Sequence, residues 1–502
     1  MVMTAAEAQT TVGESRTVTN PLNAVARWLT AADHTRIGVS LVVGAALWLV
    51  IATIIGAVLG LERFDSTAAL VDAGALTQLF SLHRFALVFG VAAPLMLGLS
   101  VWVVPAQIHA SNLSLPRFAA LGWWAWLAGS LTVLVSYLAN GGPGGGAQQY
   151  VELYLLGLGV VFVGLVAVSI AIATTVLTRR NGQRLADIPL GAFSALIGAI
   201  GIALTLPVAL GTIVYVWVDY VNARVAFGGA GFINTWLAWT TREPQTLLYV
   251  VPTLGILLDA AVRTARLAPL RLPLRGVALL GVGIAATVIM SSVTQQAHVF
   301  ALGDTPFATL QSFVPFALFN LLPLLAPLVV ILLSLLALKA GKPSLSGAFV
   351  ASLFGVGMVF TGLVGSAAMH LDALGLVGTV FGEAALVYVV YGAVLAALGA
   401  VALHIGSLTG RALPDIPVIL LALTGFLATV LASLPHYVAG LLDQPATTAS
   451  GFDDAGFVGL ANVAVALGHA LMLLVVVAFG GLVAKSRRGA PINDRYQAQV
   501  PA

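Results

Sequence analysis

The chain has 502 residues, of which 60% are hydrophobic and only 8% charged, with a net charge of +3 and a mean hydropathy of +1.03. Soluble domains carry about 25% charged residues, so a soluble protein is excluded and an all-α polytopic membrane protein is expected. The lack of cysteine excludes disulfides and thiolate metal sites.

Residues 1–30, within a tail over 1–36, are polar and lack the short apolar core of a cleaved signal peptide. They read as a cytoplasmic N-terminal tail with a short surface helix at 21–31. About twelve apolar runs follow, each near the roughly 20 residues that cross a bilayer. They lie at 37–61, 78–104, 118–140, 149–178, 190–216, 232–261, 274–297, 307–338, 345–370, 375–403, 415–440 and 455–484. They form one membrane domain over 37–484, and residues 485–502 read as a second cytoplasmic tail. Between the third and fourth runs, Gly141–Gly146 reads as a flexible connector, because no Lys-Ser or Lys-Thr follows to make it a phosphate loop. The loop at 443–454 is acidic, with Asp443, Asp453 and Asp454, and reads as a solvated outer loop.

With the N-terminus in the cytoplasm, most of the 22 basic residues fall on cytoplasmic loops and tails. Arg63 and Arg224 fall on outer loops, and Arg84 and Arg242 inside spans. The pattern predicts an even number of spans in the cell membrane with both termini inside. The basic residues are spread over many short loops, so no nucleic-acid partner is expected.

Five stretches, in order, carry a resemblance. They are W-L-T-A-A-D-H-T-R-I-G at 28–38; His83, Pro94, V-W-V-V-P (101–105) and L-P-R (115–117); Thr361-Gly362; H-I-G-S-L-T-G at 404–410; and L-P-H-Y-V-A-G-L-L-D-Q-P at 434–445. On a twelve-span frame they resemble the haem-copper oxidase superfamily subunit I, the cytochrome c oxidase subunit I-like fold. The resemblance implies dioxygen reduction coupled to proton movement. It also implies a six-coordinate haem held by His from spans two and ten, and a second haem on another span-ten His. A copper held by three His from spans six and seven would face that second haem.

Most of those ligands are missing. His83 stands at the span-two haem position, but Ala385 and Val387 stand at the two span-ten positions. In span six the resemblance places Glu243 at a copper ligand, Gln245 at the proton-carrying Glu and Leu247 at a Tyr. In span seven only His298 survives of two copper histidines. The Asp that opens one proton route aligns with Asn112, span eight has no Lys, and the haem-propionate arginines align with Ala446-Thr447.

The chain is therefore expected to hold one haem on His83 or none, and copper is not expected. Charged residues inside spans mark pairing or function. Glu243 or Glu383 is expected to pair with Arg242. The sharper alternative joins His298, Glu243 and Glu383 in a mixed metal site suited to iron or manganese. His370 and Asp372 read as solvated outer residues, and His469 has no assigned role. The expected function is a subunit I-like core of a respiratory-type complex, with degenerate metal centres and a scaffold or regulatory role. Its partners would be membrane lipid and subunit II- or III-like chains. Two alternatives stay open: an active redox subunit reducing oxygen or nitric oxide, and a proton or solute transporter reusing the vacated cavity.

Overall fold

The computed structural model describes residues 30, 32–64, 71–143, 147–222, 233–242, 244–267, 272–295, 297–448 and 455–486. Among them, twelve helices are long and apolar enough to cross a membrane. They are α1 (His34–Glu62), α2 (Gly74–Gln107), α3 (Pro116–Leu138), α4 (Gln149–Thr178), α5 (Leu190–Val221) and α6 (Leu247–Thr264). The second six are α7 (Arg275–Val293), α8 (Pro306–Ala340), α9 (Gly347–Met369), α10 (Phe381–His404), α11 (Asp415–Leu441) and α12 (Gly456–Ser486). The expected twelve-span, all-helical architecture is what the chain adopts. The surface helix expected at 21–31, Glu243, Asp453 and Asp454 lie outside the described residues.

Only helices or closed barrels satisfy every backbone N–H and C=O inside lipid, and the continuous apolar runs choose helices. Twelve crossings return the chain to the side of the membrane on which α1 begins, here termed the terminal side. Two helices are central: 94% of the apolar window of α2 and 83% of that of α10 are buried, against 39% for α3, α8, α11 and α12. The outer helices turn apolar side chains outward, as Ile416, Leu420, Leu423 and Leu427 do on α11. Such a stripe suits lipid acyl chains. Small residues let the inner helices close up. A Cβ on Gly38 of α1 would lie 2.6 Å from the Gly98 carbonyl of α2 and 2.8 Å from Trp102 Cβ. Gly38 and Trp102 belong to two of the recognised stretches, so those stretches mark a helix contact.

Prolines set the irregular turns. Pro94 has no N–H and its ring crowds the carbonyl four residues earlier. The turn before it, Ala86–Ala92, widens to π geometry. In α8 a π turn at Ala317–Leu321 and a 3-10 turn at Leu322–Leu324 accompany Pro323 in the same way.

Two boundaries differ from the apolar runs. The run at 232–261 is broken into a short helix at Ile233–Leu237, a 3-10 turn at Ala238–Thr241 and a regular helix that starts at Leu247. Pro244 explains the break, because it removes a backbone donor and disfavours helix in the residue before it. Arg242 is extended (φ −99°, ψ 145°) and precedes α6 instead of lying inside it. Span seven ends at a left-handed Gln295 (φ 57°), so His298 sits on the connection to α8.

Candidate functional site

One cluster of charged and imidazole groups in the interior lies where α1, α2, α10, α11 and α12 meet, on the side opposite the terminal side. His83 on α2 is 4% exposed and its Nε2 is buried without a hydrogen-bond partner. A cavity of about 10 Å³ adjoins it, lined by His83, Arg63, Glu383, Val387, His436 and His469 among others. The His469 ring of α12 stands edge-on to the His83 ring, with centroids 5.4 Å apart. His469 Nδ1 is 2.6 Å from the hydroxyl of Tyr391 on α10. His436 Nε2 lies 3.2 Å from Asn462 Oδ1, and Asn462 donates to the Arg63 carbonyl at 3.1 Å.

Glu383 is paired with Arg84, whose Nε donates to Glu383 Oε1 at 2.7 Å. Of the two carboxylates expected to pair with Arg242, Glu383 therefore has Arg84 as its partner, and Glu243 lies outside the described residues. The reason is placement: Glu383 occupies the first turn of α10 and Arg84 lies on neighbouring α2. Arg63, expected on the loop after α1, follows that helix directly but is 2% exposed and donates to the Ala446 carbonyl. Arg63 and Arg84 both lie over the face of Phe80, 5.9 and 5.1 Å from its centroid.

His298 lies on the connection before α8, stacked on Phe319 with ring centroids 4.4 Å apart. Its Nε2 is buried and unpartnered, and burial pushes the imidazole below its ordinary pKa. Glu243 lies outside the described residues, and among those described no three His, Asp or Glu side chains converge as metal ligands. His370 is 2% exposed and not solvated. Its Nδ1 lies 2.7 Å from the Ser366 carbonyl, which makes it the protonated nitrogen, and burial lowers its pKa. Asp372 is exposed, as expected.

Residues that the resemblance sets at proton-route and propionate positions have local tasks. Asn112 accepts from the His34 N–H at 3.2 Å and donates to the Ala32 carbonyl, anchoring the start of α1. Gln245 donates to Ser291 Oγ at 3.0 Å, and Ala446 offers its carbonyl to Arg63.

A haem between α2 and α10 needs an axial donor on each face and a planar slot. The orphaned Nε2 of His83 supplies one donor. Val387, at the opposite face, supplies none. The slot is closed as well: a cavity of about 10 Å³ is the space one water molecule needs, roughly 10–15 Å³. The residues present do not fit a haem ligated from both faces. The sequence motifs give no role in this cluster to His469, Tyr391 or Arg63. The signal available was that His469 and Tyr391 lie deep within apolar runs, where polar side chains face a partner.

A sequence model of the family described as "Cytochrome C and Quinol oxidase polypeptide I" matches residues 36–483. The chain is similar to the quinol oxidase subunit 1 of Bacillus subtilis (strain 168), at 24% identity over 304 residues, 57% of this chain and 46% of that protein. A putative cytochrome c oxidase subunit 1-beta of Streptomyces avermitilis is 26% identical over 326 residues, covering 61% of this chain and 57% of its own length. The cytochrome c oxidase subunit 1 of Corynebacterium diphtheriae is 24% identical over 248 residues, 46% and 44% of the two chains. The chain thus spans about half the length of the curated relatives it matches.

Proposed function

The chain belongs to the cytochrome c and quinol oxidase polypeptide I family, and from that premise we propose that it is a subunit I-type membrane core whose metal centres are degenerate. In this reading it serves a respiratory complex as a scaffold or regulatory partner, embedded in the cell membrane with both termini cytoplasmic. Subunit II- or III-like chains would dock on it and carry any redox groups of their own. The observation that supports this most directly is the packing at His83. Val387, which the resemblance sets at a ligand position on α10, lines the small cavity there, and His469 stands edge-on to His83. The Arg84–Glu383 pair closes the same region. Fold kinship alone does not carry the chemistry, which lives in the site.

A second reading has one specific observation in its favour. His83 Nε2 is buried and unpartnered, which costs about 1–3 kcal/mol unless something binds it. A retained haem on His83, with His298, Glu243 and Glu383 as a rebuilt iron or manganese site, would make the chain an active redox subunit. A reduced-minus-oxidised absorption spectrum, with iron and copper analysis of the same purified sample, decides between the two. The degenerate core predicts no haem band and neither metal in stoichiometric amount. A haem band with about one iron per chain, lost in H83A, would overturn that reading in favour of the second.

A further inference from the structure

A second cavity, of about 30 Å³, lies near the terminal side between α2, α5, α6 and α10, lined by Ser100, Gln107, Gly191, Asp259 and His404 among apolar residues. Its geometry is that of a polar site in apolar walls. Asp259 Oδ2 accepts from Gln107 Nε2 at 2.8 Å and from the Gly191 N–H at 3.1 Å. Gln107 Oε1 is buried with no hydrogen-bond partner. The Ser100 hydroxyl is spent on the Met96 carbonyl at 2.7 Å, so it does not supply the missing donor. A Cβ at position 191 would overlap the Asp259 carboxylate and lie 2.8 Å from Gln107 Nε2, so glycine there leaves room for both side chains in this arrangement. The cavity exceeds the roughly 10–15 Å³ that one water needs, and an acceptor without a donor is the group that water satisfies.

We infer that this cavity is a hydrated proton-binding site, with Asp259 as the proton acceptor and a water held at Gln107 Oε1 connecting it to His404. Uptake transfers one proton from hydronium in the terminal-side water to an Asp259 oxygen, releases a water molecule and moves no electrons. Arg263 and Arg275 are the cations whose charge acts on Asp259, and Arg263 also acts on His404. Asp187 faces Arg275. Protonated Asp259 becomes a donor, and the Gln107 amide answers by turning its oxygen toward it. None of these residues belongs to the His83 cluster, so the inference stands whether or not a haem is bound there.

The test is infrared difference spectroscopy of the lipid-reconstituted full chain across a pH titration, in H2O and D2O. A protonated-carboxyl C=O stretch is expected to grow as pH falls, to shift at once in D2O and to vanish in D259N. Q107L removes a donor to the carboxylate. It is expected to raise the titration midpoint by roughly one pH unit. H404Q is expected to move the midpoint while leaving the band in place. A band unchanged in D259N, a band that ignores D2O, or no band at all overturns the inference. Should D259N fail to fold, the Q107L and H404Q midpoints decide, and midpoints equal to wild type overturn it equally.

Discussion

Arg84 on α2 and Glu383 on α10 meet at 2.7 Å although 299 residues separate them in sequence. The carboxylate side chain is 5% exposed and the guanidinium 26%. Breaking a buried pair leaves one charge uncompensated and typically costs about 3–5 kcal/mol, whereas removing both partners is often near neutral. Since Arg84 keeps some solvent, E383Q is expected to lose about 3 kcal/mol at most. R84Q/E383Q should recover most of that loss. Apparent melting temperatures in one detergent, followed by circular dichroism, provide the check. An E383Q protein that melts with wild type would show that the pair does not hold α2 to α10.

The His469 ring owes its place to Gly56 on α1. A Cβ on Gly56 would lie 2.6 Å from His469 Cε1 and 2.6 Å from Nε2. Overpacking of this kind costs about 1–3 kcal/mol, so G56A should be destabilised and its partner should respond. In G56A/H469A the new methyl group finds room, and the two losses should not add. A coupling of about 1 kcal/mol or more is the expected result of the double-mutant cycle. Strict additivity would mean that His469 does not occupy the space beside Gly56.

The sequence made the spans legible because length and hydropathy alone decide what crosses a bilayer. The recognised stretches were also readable, and two of them prove to be one contact, Gly38 against Trp102. The identity of interior partners was not readable. The inner helices are apolar on every face, so no periodicity separates the side toward a neighbour from the side toward lipid. The sequence offers Arg242 to either Glu243 or Glu383, whereas the fold gives Glu383 to Arg84 on another helix. Arg63 follows directly after the last residue of α1 and reads as a loop cation. Only the fold shows it turned inward onto the Ala446 carbonyl.

Acid should weaken the fold through His370. Burial lowers its pKa in the folded chain, whereas an unfolded histidine titrates near about 6.5. Below that pH the unfolded chain binds the extra proton and the folded chain resists it. The contribution of His370 to stability is then complete above about pH 6.5 and is lost as pH falls below it. Comparing melting temperatures at pH 7.5 and pH 5, roughly either side of that value, should show a drop in wild type. H370Q should show a smaller one, because glutamine does not titrate. An identical drop in both proteins would assign the acid sensitivity to other groups.

The loops of the two membrane faces differ in charge. Exposed Arg179, Arg266, Lys339 and Lys342 lie on the terminal side, and exposed Asp72, Asp304, Asp372 and Asp443 on the other. Lys and Arg in short loops stay in the cytoplasm, which sets the proposed orientation. The chain has no cysteine, so single substitutions report one position each without a background. D304C is expected to react with a membrane-impermeant maleimide on intact cells, and S344C only after the membrane is opened. Both residues are exposed, so failure of S344C to label before lysis cannot come from burial within the protein. Labelling of S344C on intact cells, with D304C protected, would invert the orientation and place the Asp259 cavity toward the outside.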